Sequence, residues 1–173
     1  HALEAHAAVH RPAAPSFHLD MATVSGEANR PAFHLSLTEV PYSLWKKIRK
    51  WSVSNQYLFD LGRSGYVFAT DGDMGSMGLC DGSYDASHPA TQMTWLDAVA
   101  WCNALSEFEG RTPCYYHDAG HERVFRTVME RDRPDRYDWQ PVVHVKWAAD
   151  GYRLPTPGEW QAAATTAGAD AAP

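Results

Sequence analysis

The strongest constraint on the fold is a helix between residues 94 and 110, because both of its ends are marked in the sequence. Thr94 and Asp97 have the spacing of a capping box, in which each side chain accepts a backbone N–H of the first turn. Gly110 supplies the left-handed conformation that often ends a helix. Between them the helical period selects Trp95, Ala98, Val99, Cys102 and Leu105. This pattern predicts a helix packed against a core.

A second helix is predicted to begin at Pro41, a residue that suits the first helical position because its missing N–H is no loss there. An apolar stripe follows at Leu44, Ile48 and Trp51. The other positions include Lys46, Lys47, Arg49 and Lys50. This basic cluster has two interpretations, a docking patch or an ordinary solvated helix face.

A third helix is predicted after Thr156, with Pro157 in the first position and Glu159 in the third, again as a capping box. Its buried face is predicted to contain Trp160, Ala163 and Ala164.

Short extended pieces separate these helices, at residues 89–93, 142–147 and 151–154. Few strands, three helices and long loops predict a mixed α+β domain. At 173 residues the chain is long enough for one domain with a real core.

The chain is predicted to have two parts. Residues 1–16 are rich in Ala, His and Pro and indicate an extended arm or linker, whereas 17–173 form the domain. A glycine-rich stretch at 62–87 and a charged insertion at 117–141 are predicted surface loops, and either could contact a protein partner.

Two runs resemble parts of metal sites without completing them. Residues 71–82 begin like a calcium loop, but Gly75 and Gly82 stand where oxygen ligands belong, which favours a turn-rich loop. His117 and His121 have a spacing that suits one metal on a helix, but the sequence places no third ligand. No metal-binding residue is predicted in this chain.

Three cysteines, Cys80, Cys102 and Cys114, cannot all pair with one another within one chain. A bridge between Cys102 and Cys114 is feasible across a helix end and a turn. Two buried thiols acting as small apolar groups are the other interpretation.

Charge excludes one class of partner. With 15 Lys and Arg against 21 Asp and Glu, the net charge is −6, which is unsuited to nucleic acid. No apolar run is long enough to cross a membrane, and the start lacks the pattern of a signal peptide. A first residue other than Met is expected both of a processed exported protein, secreted or periplasmic, and of a fragment.

Two passages, taken in order, resemble the formylglycine-generating enzyme family, also called sulfatase-modifying factor domains. The first is residues 88–115, with Thr94-Trp95-Leu-Asp97-Ala and Cys102-Asn103-Ala-Leu-Ser, and the second is Gly151-Tyr-Arg153-Leu-Pro155-Thr156-Pro-Gly-Glu159-Trp160. Together with Thr38-Glu-Val before the first helix, the resemblance covers about residues 33–165.

The resemblance implies an α+β fold of the C-type-lectin-like class, with long irregular loops. It assigns fold-holding roles to ten residues. Arg153 is expected to be partly buried and bonded to a carboxylate or a carbonyl, and Glu159 to serve both as a cap and as a partner. The ten are Thr94, Trp95, Asp97, Cys102, Asn103, Arg153, Pro155, Thr156, Glu159 and Trp160.

The resemblance also implies chemistry that this chain does not carry. Family members oxidise a sulfatase cysteine to an aldehyde with a copper-binding cysteine pair that lies beyond the second passage. No residue here matches that pair, so no catalytic or cofactor-binding residue is predicted, and the domain is expected to be incomplete at its C-terminus. Copper or calcium would belong to the complete domain.

Three functions follow from this. The sequence favours a binding or structural module. The alternatives are the N-terminal part of a copper-dependent oxidase and, with less support, a relative of the non-haem iron sulfoxide synthases.

Overall fold

The computed structural model describes residues 19–27, 31–64, 86–127 and 141–169, with side chains described to residue 165. These residues contain three helices, α1 (Tyr42–Val53), α2 (Trp95–Phe108) and α3 (Pro157–Ala169). The strands are β1 (Met21–Val24), β2 (Phe33–Ser36), β3 (Arg63–Ser64), β4 (Ala90–Thr91), β5 (Tyr115–Tyr116) and β6 (His144–Val145).

The strands pair into antiparallel two-stranded sheets, β1 with β2, β3 with β4, and β5 with β6. Val24 lies opposite Phe33, and Tyr115 lies opposite Val145. The mixed α+β class is therefore confirmed, whereas the sequence reasoning did not foresee the β1–β2 pair.

The core lies between α1 and α2. Leu44, Trp45 and Ile48 of α1 pack against the buried side of α2, where Val99 and Ala100 are inaccessible to solvent. The rings of Trp45 and Trp101 stack with centroids 5.4 Å apart and planes at 5°. Aromatic stacking adds to the large apolar area that such rings bury, so this pair fixes how the two helices meet.

The predicted helix starts are accurate to about one residue. Pro41 is the N-cap of α1 rather than its first helical residue. Thr94 and Asp97 form the predicted capping box of α2, and Gly110 follows that helix with φ 75°. The helix signals are therefore confirmed at both ends of α2.

The charged segment that begins at residue 117 turns back to the core within its described part. Asp118 accepts the backbone N–H groups of Glu122 and Arg123 at 3.1 and 2.8 Å, which holds a tight turn. Phe125 then enters the core and is completely buried. Residues 117–127 are therefore fixed to the domain, and 128–140 lie outside the described residues.

Three predicted core positions are wrong, those of Trp95, Trp160 and Ala164. The side chains of Trp95 and Trp160 are 57% and 61% exposed. In each helix an acidic residue takes the inward position, Asp97 in α2 and Glu159 in α3. Because each residue turns the helix by about 100°, Trp95, two positions before Asp97, and Trp160, one position after Glu159, both point away from the core. Ala164 is exposed as well.

None of the helices in the described residues combines the length and the apolar character that crossing a membrane requires.

Candidate functional site

The ten residues singled out in the sequence fall into two groups. One group lies at the start of α2, and the other joins the inner face of α2 to the start of α3.

At the start of α2, the Asp97 carboxylate accepts three hydrogen bonds, two from the N-cap residue of its own helix and one from the loop after α1. Its Oδ2 accepts the backbone N–H of Thr94 at 2.9 Å and the Thr94 hydroxyl at 2.6 Å, and its Oδ1 accepts the N–H of Asp60 at 3.0 Å. The Asp97 N–H in turn donates to the Thr94 hydroxyl at 3.1 Å. The carboxylate is thus used to cap the helix and to hold the loop after α1.

Asn103 joins three backbone segments inside the core, where it is completely buried. Its Nδ2 donates to the carbonyls of Tyr115 and Phe125 at 2.8 and 2.9 Å. Its Oδ1 accepts the N–H groups of Cys114 and Tyr115 at 3.1 and 3.0 Å. Every hydrogen-bonding capacity of the amide group is used, which makes Asn103 a framework residue.

Arg153 and Glu159 form a bidentate ion pair between the 151–154 segment and α3. The Nη1–Oε2 distance is 2.7 Å and the Nη2–Oε1 distance is 2.5 Å. Glu159 also accepts the N–H of Thr156 at 2.8 Å, and Arg153 lies 5.0 Å from the ring centroid of Trp147. We call Trp147, Arg153, Thr156 and Glu159 the Arg153 corner.

The electrostatics of the Arg153 corner favour both charged forms. The hydrogen bonds from Arg153 hold the pKa of Glu159 at about 2, and the bond to Glu159 raises the pKa of Arg153. The predicted double role of Glu159, cap and ion-pair partner, is confirmed by this geometry.

Two residues that the sequence reasoning missed connect this corner to α2. The Tyr115 hydroxyl accepts the N–H of Leu154 at 2.9 Å, and the Ser106 hydroxyl accepts the N–H of Tyr152 at 2.7 Å. Ser106 carried a usable signal, because a serine on the buried side of a core helix needs a polar partner. Tyr115 carried none beyond its position after Cys114.

The remaining predicted residues divide between the core and the surface. Cys102 is buried on α2, and Pro155 is half-buried just before α3. Trp95 and Trp160 are exposed, and Trp147 is 64% exposed although Arg153 packs against its ring. Within the described residues, three tryptophans are thus more than half exposed.

Cys102 and Cys114 are free and buried, in agreement with the interpretation as apolar thiols rather than a bridge. Burial raises the pKa of both thiols, that of Cys102 to about 12. Copper, the metal that the resemblance implies, is bound by thiolates. Two thiols kept neutral in an apolar core do not fit a copper site.

His117 and His121 do not lie on a helix. The imidazole of His117 packs 4.5 Å from the ring centroid of Phe125, whereas His121 has φ 56° and its ring contacts Tyr116. Within the described residues, no three His, Cys, Asp or Glu side chains converge as metal ligands. The calcium-like run at 71–82, Cys80 and the arm at 1–16 lie outside the described part.

Comparisons with known proteins agree with the fold described above. The chain is 35% identical over 77 residues to the chaperone protein LppX of Paenibacillus barcinonensis, a match that covers 44% of this chain and 25% of that protein. The solved structure of CarF shares the fold, with a TM-score of 0.56 and 24% identity over 84% of this chain and 54% of that one.

The chain therefore spans about a quarter of the curated relative and about half of the solved one. Residues 2–172 match the model of a protein family, the sulfatase-modifying factor enzyme 1-like domain. Because this match extends over nearly the whole sequence, the chain belongs to the family of sulfatase-modifying factor enzyme 1-like domains.

Proposed function

We propose that this domain is a protein-binding module. In it, the capped helices and the Arg153 corner hold an exposed tryptophan surface, which consists of Trp147 and Trp160. The observation that carries the proposal is the exposure of Trp147, whose ring is packed by Arg153 while 64% of the residue remains open to solvent. Tryptophan is among the residues most enriched at the energetic centres of protein interfaces.

The polar chemistry of the described site supports the same proposal. Asp97, Asn103 and Glu159 all make hydrogen bonds that hold the backbone. Because these side chains are bonded to the backbone of the domain, a ligand would contact mainly the shape and the apolar surface of the site. The relative named as a chaperone, over the 77 matched residues, is consistent with a role that involves other proteins.

Three further parts of this proposal come from the sequence. We propose that the fold is a C-type-lectin-like variant, since a few helices support small sheets and long irregular loops. The loops at 62–87 and 117–141 are proposed to extend the contact surface. An exported location, secreted or periplasmic, is proposed from the Ala-rich stretch at 1–16, and fractionation of the source cells with immunodetection would test it.

Site-specific photo-crosslinking tests the binding function. The photoreactive residue p-benzoylphenylalanine is placed at Trp147, at Trp160 and, as a matched exposed control, at Leu37, which is 65% exposed. We expect one discrete protein adduct from positions 147 and 160 in the source cells and none from 37. The adduct should disappear when unlabelled wild-type domain competes, whereas Trp147→Ala domain should fail to compete.

Equal labelling from all three positions, or no adduct from 147 and 160, would overturn the proposal. The melting temperature of Trp147→Ala must be measured in parallel, because loss of the Arg153 contact could destabilise the corner.

A second candidate function is that the chain is part of an oxidase that acts on a sulfatase cysteine. The name of the family, which refers to a sulfatase-modifying enzyme, favours this function. Its test is intact mass and metal analysis of the natural protein, followed by incubation with a sulfatase-derived cysteine peptide, copper and oxygen. Aldehyde formed on the peptide, detected with a hydrazide reagent, would establish this function in place of binding alone.

A further inference from the structure

We propose that the basic face of α1, formed by Lys46, Lys47, Arg49 and Lys50, binds an acidic peptide segment of a protein partner. The inference rests on the proposed protein-binding function and assigns it a second surface with a definite chemistry.

The stability of α1 does not account for these four cations. Residues 42–53 contain no Asp or Glu, so the helix has none of the Glu–Lys pairs that stabilise isolated helices. Lys46 and Lys50 are four residues apart, a spacing at which like charges repel. The helix dipole favours cations only in the last turn, which contains Lys50 but neither Lys46 nor Lys47.

The carboxylates of α2, the helix that packs against α1, are used elsewhere. Asp97 caps its own helix, Glu107 binds Arg126, and Glu109, the residue just after the helix, accepts the Tyr152 hydroxyl at 2.6 Å. Within the described residues, Lys46, Arg49 and Lys50 form no ion pair with a carboxylate. Their charge is therefore available to a ligand.

Aromatic contacts hold parts of this face in place. The Lys46 ammonium lies 4.8 Å from the ring centroid of Tyr42, and that of Lys47 lies 5.4 Å from the centroid of Phe108. Arg49 donates to the carbonyl of Phe59 at 2.7 Å. Side chains that are already ordered lose less conformational freedom when a ligand binds.

The geometry of the face suits carboxylates on an extended peptide. Lys46 and Lys50 are both exposed and lie one helical turn apart, about 6 Å. Carboxylates on alternate residues of an extended strand are spaced by roughly the same distance, about 6.6 Å. The exposed Val53 at the end of α1 offers an apolar contact to the same peptide.

A peptide fits this face better than a nucleic acid does. A few cations on one short helix would neutralise few phosphates, so this face gives little affinity for a nucleic acid. A short acidic segment needs only local complementarity.

The test measures binding of a fluorescein-labelled deca-glutamate peptide by fluorescence anisotropy, with the full chain at low salt. Lys46→Glu/Lys50→Glu is compared with Arg111→Glu/Lys146→Glu, which changes the net charge equally at positions that contact Asp150 and β5 rather than α1. We expect the α1 variant to weaken binding by at least about tenfold and the control by less than about twofold. Wild-type affinity should also fall as salt is added.

Equal losses in the two double variants would overturn the inference, since they would show a general charge effect. No binding by wild type would overturn it too, as would tighter binding of a deca-thymidylate or of phosphatidylserine vesicles through α1. Circular dichroism of both variants confirms folding. Photo-crosslinking at Trp147 is measured separately, so the tryptophan surface can stand even if the basic face fails.

Discussion

Asn103 satisfies backbone groups of Cys114, Tyr115 and Phe125 from inside the core, where no water can replace it. The polar groups of a buried backbone must be paired, and here one amide side chain pairs four of them. An asparagine in the middle of an apolar helix face is therefore the residue on which the irregular segments around it depend.

Asn103→Ala should destabilise the domain by about 3 kcal/mol, because it leaves two buried N–H groups and two carbonyls without those partners. Urea unfolding followed by tryptophan fluorescence would measure the change. Thr165→Ala is the control, since the exposed Thr165 hydroxyl bonds only the Gln161 carbonyl of its own helix, and a comparable loss there would contradict the assignment.

Gly151 illustrates a constraint of space. A methyl group at this position would overlap the carbonyl oxygen of Thr112 and lie 2.6 Å from the Ser106 hydroxyl. Gly151→Ala should therefore displace the 151–154 segment and lower the stability by about 2 kcal/mol or more. Gly158→Ala, in the open first turn of α3, should be neutral or slightly stabilising, and thermal melting of the pair distinguishes the two sites.

At the scale of the elements, helix caps determine where the regular structure lies. The capping boxes at Thr94 and Thr156 are local patterns of four residues, so the sequence predicts them directly. The exposure of Trp160 is not local, because it depends on Glu159 taking the inward position to meet Arg153. Hydrophobicity alone therefore assigned the wrong face of α3.

Acid should weaken the contact between α3 and the Arg153 corner. The folded pKa of Glu159 is about 2, below its ordinary value of 4.5, so its stabilisation is present above about pH 4.5 and is lost as the pH falls toward 2. Glu159→Gln should cost about 1–3 kcal/mol at pH 7, and the difference from wild type should shrink on acidification.

Urea unfolding at several pH values between about 2 and 7 tests this expectation, because the series spans the folded pKa of Glu159, about 2, and its ordinary value of 4.5. Glu122→Gln at an exposed position is the control, and a difference between wild type and Glu159→Gln that stays constant with pH would contradict the ion-pair account.

For the whole molecule, one consequence of the core is that its thiols are protected. Cys102 and Cys114 are both buried, and burial raises their pKa values. In the native protein they should resist alkylation by iodoacetamide for hours and react within minutes in denaturant. Peptide mapping by mass spectrometry would locate the label, and rapid native labelling of either residue would contradict the described packing.

The family resemblance and the mixed α+β class could be predicted from the sequence because they rest on ordered motifs. The β1–β2 pair and the burial of Phe125 could not, since both depend on partners distant in the chain. Phe125 lies among charged residues, and only its pairing with Tyr115 and Asn103 shows that this stretch belongs to the core. The missed site residues Ser106 and Tyr115 are likewise defined by tertiary contacts.

The contact between Arg126 and Asn55 also bears on the order in which the domain folds. Arg126 donates to the Asn55 carbonyl across 71 residues and pairs with Glu107, whereas the α2 cap joins residues only three apart. Closing a loop of that length costs conformational entropy, and the contacts that offset this cost form only afterwards. We therefore expect α2 to form early and the Arg126 contacts to form late. In stopped-flow experiments, Arg126→Ala should accelerate unfolding several-fold while leaving the refolding rate nearly unchanged.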